Sequence, residues 1–257
     1  MSPKLTGLVT THYILLVRSF VILFGCIAIW WGILEFPLFW QEASLKPIAE
    51  RIIAGDPFKP DVLAQQLPTI DSIKNATYCR PAGLRNAAVI QLRMMEAAAP
   101  SEHTNERITS LVNVIRSSLS CTPADPFLWL ALYSAGSSEN GSTTNGLKYL
   151  WMSYNLGPNE GWIAAKRNRV VFARFQQLPP DLEERAIDEF TALVKTSFFE
   201  QAADIFVGPA WPERELILSR LKSISDSNRQ LFADVLYNRG YDINVPGVKR
   251  PDFHSSH

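Results

Sequence analysis

The chain has 257 residues, of which 47% are apolar and 19% carry a charge, which is the composition of a folded protein. Lys and Arg together number 25, as do Asp and Glu, so the formal net charge is zero. Without an excess of positive charge there is no long-range field to attract nucleic acid, and no nucleic-acid partner is expected. About 35 residues belong to an apolar N-terminal region, and the remainder suffices for one soluble domain.

An apolar segment near the N-terminus predicts a membrane anchor within residues 1–43. Residues 19–34 carry no charge, and extension back to Thr10 gives about 25 residues interrupted only by Arg18, enough to cross a ~30 Å hydrocarbon core. Arg18 can extend toward the headgroups at one end. Aromatic residues typical of a membrane interface cluster at the other end: Trp30, Trp31, Phe36, Phe39 and Trp40. The expected partner of this helix is a lipid bilayer.

Two other interpretations of the segment stay open. A cleaved signal peptide needs a small-x-small site, and the nearest candidates lie in WQEAS, beyond an apolar stretch longer than the usual ~7–15 residues. A buried core helix of a soluble protein usually has a polar face, which is missing here. An uncleaved anchor is favoured.

The charges that flank the segment favour one orientation. Lys4, Arg18 and the terminal amine lie on the N-terminal side, whereas Glu35 and Glu42 precede Lys46 on the other. Because positive charge is retained on the cytoplasmic side, the pattern predicts a cytoplasmic N-terminus and an exported C-terminal domain.

The region after the anchor is predicted to contain a neck, residues 44–80, and an all-helical domain, residues 81–240. In the neck, Ser44 is expected to cap a short helix that Gly55 ends. Helices that begin near Pro81 and Asn105 follow, with apolar residues at helical spacing, and they are expected to pack as an antiparallel hairpin. No alternating strand pattern interrupts the series, so the predicted class is all-α.

Further helices complete the predicted domain. One pair joins PADPFLWLALYSAG to GLKYLWMSYNL through the polar loop SSENGSTTN, and the next joins NEGWIAAKRNRVVFARFQQL to DLEERAIDEFTALVK. SFFEQAADIFVG is expected to begin with a capping box from Ser197 to Glu200, and two more helices end near Gly240. The tail, residues 241–257, lacks a helical stripe and is expected to add little to stability.

Two pairs of residues recur at nearly the same spacing. Trp129 and Trp162 are 33 residues apart, and Pro126 and Pro158 are 32 apart. A period near 34 is typical of tetratricopeptide repeats, each of which is a helix–turn–helix unit. Trp129 and Trp162, which stand among apolar neighbours, are expected to be structural anchors in the cores of successive hairpins.

Three positions near the end of two units also match that family: a large apolar residue, a small residue and a closing proline. They are Leu150, Ser153 and Pro158 in one unit and Ile115, Ser118 and Pro123 one unit earlier. The chain thus resembles a degenerate tetratricopeptide-like array with units 81–123, 124–158 and 159–195, although the central Leu-Gly pair is absent. This resemblance implies stacked antiparallel hairpins, which create extended binding surfaces. Unrelated helical hairpins are the alternative.

The amino-acid sequences of residues 121–132 and 153–182 resemble those of membrane-anchored proteobacterial proteins associated with cell-envelope and exopolysaccharide gene clusters. The resemblance implies a single-pass protein of the bacterial inner membrane with a periplasmic domain. It implies a context and not an activity.

Three cysteines are present, and two of them are candidates for a disulfide. Cys26 lies in the anchor, where a thiol behaves as a small apolar residue. Cys79 and Cys121 stand at the start of one predicted helix and the end of its partner, and in an oxidising compartment a bridge between them would close a loop of about 43 residues. Two separately buried thiols are the alternative.

Charged residues of two neighbouring helices admit a structural and a functional interpretation. The acidic set is Asp181, Glu183, Glu184, Asp188 and Glu189, and the basic set is Lys166, Arg167, Arg169 and Arg174. The carboxylates are interpreted as a solvated helix face rather than as paired groups of a glycosidase. The basic residues are interpreted as their ion-pair partners, with binding of an anionic glycan as the alternative.

No recognisable catalytic constellation, cofactor motif or metal-ligand spacing occurs, and the four histidines, His12, His103, His254 and His257, are scattered. We therefore expect no enzyme activity, no cofactor and no metal. The leading hypothesis is a membrane-anchored helical scaffold that binds a protein partner, in the context of envelope polysaccharide assembly. A glycan-handling or hydrolytic accessory enzyme of the envelope is the alternative.

Overall fold

The structure is a computed structural model that describes residues 3–76, 78–97, 104–140 and 144–248. Within these residues the chain forms helices and loops and no strand, which confirms the all-α class. The α-helices are α1 (Pro3–Ala54), α2 (Pro60–Ala64), α3 (Leu67–Lys74), α4 (Pro81–Ala97), α5 (Thr104–Cys121), α6 (Pro126–Asn140), α7 (Thr144–Leu156), α8 (Gly161–Phe172), α9 (Pro180–Lys195), α10 (Phe199–Val207), α11 (Arg214–Leu221) and α12 (Asp226–Asn238). Short 3-10 helices at Phe175–Gln177 and Trp211–Glu213 precede α9 and α11.

The chain divides into two compact units, residues 1–101 and residues 102–257. The division falls between α4 and α5, beyond the boundary predicted at residue 80. The two helices that were expected to form the first hairpin thus belong to different units. That residues 81–240 form the helical domain stays a prediction.

In the first unit, α1 is one continuous helix that passes through Pro37 and Pro47. The prediction that Ser44 begins a new helix is therefore wrong. Ser44 lies inside α1, where its hydroxyl donates to the Gln41 carbonyl 2.7 Å away. Proline inside a helix removes one hydrogen bond, and α1 remains helical at both positions. Gly55 does end the helix, with a φ of +95° that glycine adopts without steric cost.

The C-terminal part of α1 packs with α3 and α4 around a small apolar core. Leu45, Ala49 and Ile52 are the buried residues of α1 in this region. At Gly83 of α4 the helices approach closely, because an added Cβ would lie 3.0 Å from the Glu42 side chain. The C-terminal part of α1 is therefore packed directly against α4.

In the second unit, α6 and α7 pack against each other as an antiparallel pair. The start of α6 meets the end of α7, where the Ser153 hydroxyl donates to the Pro126 carbonyl 2.8 Å away. Gly157 stands so close to Pro126 that an added Cβ would lie 2.6 Å from the proline ring. The tetratricopeptide-like arrangement of this pair with its neighbours stays a prediction.

Helices α8, α9, α10 and α12 surround an aromatic core. The Phe190 ring lies at its centre, with ring centroids 6.1 Å from Phe172, 6.2 Å from Phe206 and 6.1 Å from Phe232. Two of these contacts are edge-to-face, which is a favourable arrangement for aromatic rings. All four rings are buried. This core positions α8 and α9, which carry the site described below.

One expectation for the second unit is wrong. Ser197 does not cap α10, because Phe198 occupies the N-cap position, no side chain caps this end, and Ser197 has a φ of +68°. The segment after Gly240 does contribute to the core, since Val245 is 2% exposed. Residues 249–257 of the predicted tail lie outside the described part of the chain. A serine cap occurs instead at Ser225, whose hydroxyl accepts from the Asn228 N–H at the start of α12.

Candidate functional site

The anchor prediction rests on α1, which is long and apolar enough to span a membrane. The candidate stretch begins at Leu16, and none of the side chains in its most apolar window is buried within the protein. Large apolar side chains are exposed from Tyr13 to Trp40. So large an exposed apolar surface is unusual on a soluble helix and typical of a helix in lipid.

The two cysteines predicted to pair, Cys79 and Cys121, are disulfide-bonded. Cys26 is a free and exposed thiol on α1. The bridge closes a loop of about 43 residues, for which the chain-entropy treatment gives a stabilisation of about 4 kcal/mol. Disulfides of this kind persist in oxidising compartments.

A buried ion pair lies at the centre of the second unit, where Arg167 of α8 meets Glu189 of α9. Arg167 is fully buried, and its Nε donates to both carboxylate oxygens of Glu189 at 3.1 Å. Nη1 donates to the carbonyl and hydroxyl oxygens of Ser153 at 2.7 and 2.9 Å, and Nη2 donates to the Gly157 carbonyl at 2.9 Å. The guanidinium thus connects the end of α7 with α8 and α9.

Neighbouring groups complete the site. The Asn168 amide donates to Glu189 Oε2 at 2.7 Å, and the Arg167 guanidinium lies 4.3 Å from the centre of the Tyr154 ring. Burial raises the pKa of the Glu189 carboxyl, although the hydrogen bonds from Arg167 and Asn168 oppose this change. Burial, together with the charge of Glu189, holds the pKa of Tyr154 well above its ordinary value.

The arrangement favours a structural role for this pair. A catalytic acid must reach a substrate, whereas Glu189 is only 8% exposed and is held by Arg167 and Asn168. The hydrogen bonds of the guanidinium connect three helices through a charge that is fully withdrawn from water. Removal of either partner would leave the other charge buried without compensation.

The predicted ion pairing between the basic and acidic sets is confirmed for Arg167 and Glu189. The prediction that Glu189 lies on a solvated helix face is wrong. Glu189 continues the inward stripe of α9 formed by Leu182, Ala186 and Leu193, all of which are buried. That spacing was present in the sequence and is the signal that could have placed Glu189 inside. The remaining acidic residues differ: Asp188 and Glu184 are exposed and lie near Arg220 of α11, at 3.6 and 3.4 Å.

Trp129 and Trp162 pack against aromatic neighbours but are only half-buried. The Trp129 ring stacks on Tyr149 at 5.8 Å, and its Nε1 donates to the Pro123 carbonyl at 2.8 Å. The Trp162 ring lies 5.4 Å from Phe127. Neither indole is fully buried, and their expected role as structural anchors of successive hairpins stays a prediction.

An exposed surface on α7 and α9 was not recognised from the sequence. It consists of Lys148, Trp151, Met152 and Asn155 of α7 with Arg185 of α9, and we call it the Trp151–Arg185 surface. The Arg185 guanidinium lies 4.4 Å from the centre of the Trp151 ring and donates to the Asn155 amide oxygen at 3.1 Å. Met152 is 38% exposed beside them.

Three of the histidines, His103, His254 and His257, lie outside the described residues, and the side chain of His12 is likewise not described. Within the described part of the chain, no group of three or more His, Cys, Asp or Glu side chains could hold a metal ion.

Neither a protein-family model, nor a curated protein, nor a solved structure matches the chain.

Proposed function

We propose that this protein is a membrane-anchored helical scaffold that binds a protein partner through the Trp151–Arg185 surface. In this proposal the protein is a single-pass protein of the bacterial inner membrane, and its periplasmic part acts in cell-envelope polysaccharide assembly. The length and apolar surface of α1 support the anchor. The envelope context rests on the resemblance of two segments to proteobacterial envelope proteins.

Export of the helical part is supported by two independent features. The disulfide between Cys79 and Cys121 is of the kind that persists in oxidising compartments. The charges on the two sides of the apolar stretch favour a cytoplasmic N-terminus. A reporter enzyme that is active only outside the cytoplasm, fused after His257, should therefore be active, and activity of a cytoplasmic reporter alone would reverse the topology.

The observation that carries partner binding is the composition and geometry of the Trp151–Arg185 surface. Trp, Arg and Met are enriched at protein interfaces, and Trp and Arg contribute most of the binding energy there. The Trp151 ring and the Asn155 amide hold the Arg185 guanidinium in place, so little side-chain entropy is lost when it binds. Lys148 adds a second positive charge, which favours a partner segment that carries Asp or Glu.

Packed helical pairs suit this role, because neighbouring helices can present such a surface on a rigid support. The antiparallel packing of α6 and α7 supports a tetratricopeptide-like arrangement as part of the proposal. The buried Arg167–Glu189 pair fixes α7 relative to α8 and α9, and thereby fixes Trp151 relative to Arg185. The scaffold and the proposed binding surface are therefore linked through one side chain.

Site-specific photocrosslinking in the native cells tests the proposal. A photoreactive phenylalanine in place of Met152 should yield a discrete adduct with one protein, and Arg185→Glu should reduce its yield at least tenfold. The matched control replaces Leu231, which is 50% exposed on α12 of the same unit. No adduct from position 152, or the same adducts from both positions, would overturn partner binding at this surface.

A further inference from the structure

A loop outside α1 contacts the apolar stretch of that helix. Tyr78, in the loop before α4, is 58% exposed, and its ring centroid lies 5.9 Å from that of Trp31, which is 54% exposed. Both rings thus contact each other while a large part of each remains uncovered by protein. Trp and Tyr side chains favour the membrane interface, where one part of the ring meets lipid and the polar end meets water.

Arg80, two residues further along the loop, pairs with two carboxylates of α1. Its guanidinium contacts Glu35 and lies 3.4 Å from Glu42. The Arg80 side chain is 12% exposed, and those of Glu35 and Glu42 are 30% and 19% exposed. One of the two negative charges on this flank of the anchor is therefore balanced by an arginine that lies far from it in sequence.

The length of the charge-free stretch explains why this neutralisation matters. Arg18 and Glu35 bound the stretch and are 17 residues apart, which corresponds to about 26 Å along a helix. That distance is slightly less than the ~30 Å hydrocarbon core, so both charges lie at its boundaries or just inside them. A long arginine side chain can extend to the headgroups. The shorter glutamate reaches less far, and an unpaired carboxylate at that depth is costly.

We propose that the loop that carries Tyr78 and Arg80 forms a second membrane contact, at the boundary between the headgroups and the hydrocarbon core of the bilayer that α1 spans. This inference rests on the proposed anchoring of α1. Arg80 neutralises Glu35 at the hydrocarbon boundary, and because Arg80 contacts Glu35 directly, the loop lies at the same depth. Tyr78 packs on Trp31, which lies four residues, about 6 Å along the helix, on the hydrocarbon side of Glu35, so the Tyr78 ring lies at the outer edge of the hydrocarbon core. The occupant of this surface is lipid, since it continues the exposed apolar surface of α1.

Lipid photocrosslinking of the full-length protein in phospholipid vesicles tests the contact. A photoreactive phenylalanine is placed at Tyr78, at Phe24 within the apolar stretch, or at Val62 on α2. Phe24 and Val62 are 65% and 40% exposed and belong to the same unit as Tyr78. After irradiation, mass spectrometry measures phospholipid adducts at each position. We expect adducts at positions 24 and 78, and at least tenfold fewer at position 62, which lies beyond the end of α1.

The three positions separate the possible failures. Adducts at 24 but not at 78, or only crosslinks within the chain from 78, would overturn the second contact while the anchor stands. Absence of adducts at 24 would overturn the anchor itself and this inference with it. Adducts of equal yield at 62 and 78 would show that the contact is not specific to the loop, and would overturn the assignment.

Discussion

The Arg167 guanidinium and the Glu189 carboxylate meet inside the second unit, with Arg167 Nε 3.1 Å from both carboxylate oxygens. The pair is withdrawn from water, and Arg167 also donates to the carbonyls of Ser153 and Gly157. Full hydrogen bonding is what makes a buried charge tolerable. The pair therefore determines how the end of α7 meets α8 and α9.

Replacement of Arg167 by Met should lower the free energy of unfolding by about 3–5 kcal/mol, because Glu189 would be left buried without its partner. The double variant Arg167→Met, Glu189→Leu should recover much of this loss, since it removes both charges. Arg220→Met is the matched control: this arginine is exposed, and its loss should cost less than about 1 kcal/mol. Chemical denaturation in detergent measures all three, and equal losses for Arg167→Met and Arg220→Met would contradict the prediction.

The pH dependence of stability should also reflect Glu189. Burial raises the pKa of its carboxyl above the ordinary value of 4.5, so the native state binds this proton more tightly than the unfolded state. The tighter binding of this proton stabilises the native state below pH 4.5, and this stabilisation is lost as the pH rises through the native pKa of Glu189. Relative to Glu189→Gln, the unaltered protein should thus lose stability as the pH rises across this window. A relative gain would mean that the Arg167 hydrogen bonds outweigh burial.

Gly157→Ala should destabilise the α6–α7 pair. An added Cβ would lie 2.6 Å from the Pro126 ring, and proline cannot move aside as a flexible side chain can. Overpacking of this kind costs about 1–3 kcal/mol. Gly136 of α6 is the matched control, because nothing lies within 4 Å of an added Cβ there, and Gly136→Ala should be neutral or stabilise by up to about 1 kcal/mol. Thermal unfolding of both variants checks the difference in sign, and loss of stability in both would refute the explanation.

Trp129→Ala should cost less than the replacement of a buried ring. Phe190→Ala removes a fully buried ring and should cost about 3–5 kcal/mol, whereas Trp129 is half-buried and its loss should cost no more than about 3 kcal/mol. Trp129→Phe keeps the stacking on Tyr149 and loses the hydrogen bond to Pro123, and so should cost about 1 kcal/mol. Denaturation curves of the three variants give the order, and a larger loss for Trp129→Ala than for Phe190→Ala would contradict it.

The sequence predicted the all-α class because apolar residues recur at helical spacing, and it located the disulfide because Cys79 and Cys121 stand at helix ends. It failed where long-range packing outweighs a local signal. Ser44 and Pro47 favour a new helix, but Leu45 and Ala49 pack in a way that keeps α1 continuous. Glu189 was assigned to the surface because charged residues usually lie there, although its spacing along α9 placed it inside.

The Trp151–Arg185 surface could not be predicted from residue spacing alone. Trp151 and Arg185 are 34 residues apart and lie on different helices. They meet through long-range packing, to which the bonds of Arg167 with α7 and α9 contribute. Helical periodicity identifies which face of each helix is buried, but it does not identify the exposed residues that neighbouring helices bring together.

The segment after Gly240 should contribute to stability through Val245, contrary to the expectation from its lack of a helical stripe. Val245 is 2% exposed, and full burial of such a side chain contributes about 1.5–3 kcal/mol. Gly247 lies against the Arg229 guanidinium, since an added Cβ would be 3.1 Å from it.

A chain that ends at Val248 is the reference for this test, and a chain that ends at Gly240 lacks both contacts. The shorter chain should unfold at a temperature several degrees lower, because a loss of about 1 kcal/mol lowers the melting temperature by roughly 2–4 °C in a domain of this size. Val245→Ala in the longer chain separates the apolar contribution from the rest and should account for at least half of the difference. Equal melting temperatures of the two truncated chains would show that Val245 adds nothing.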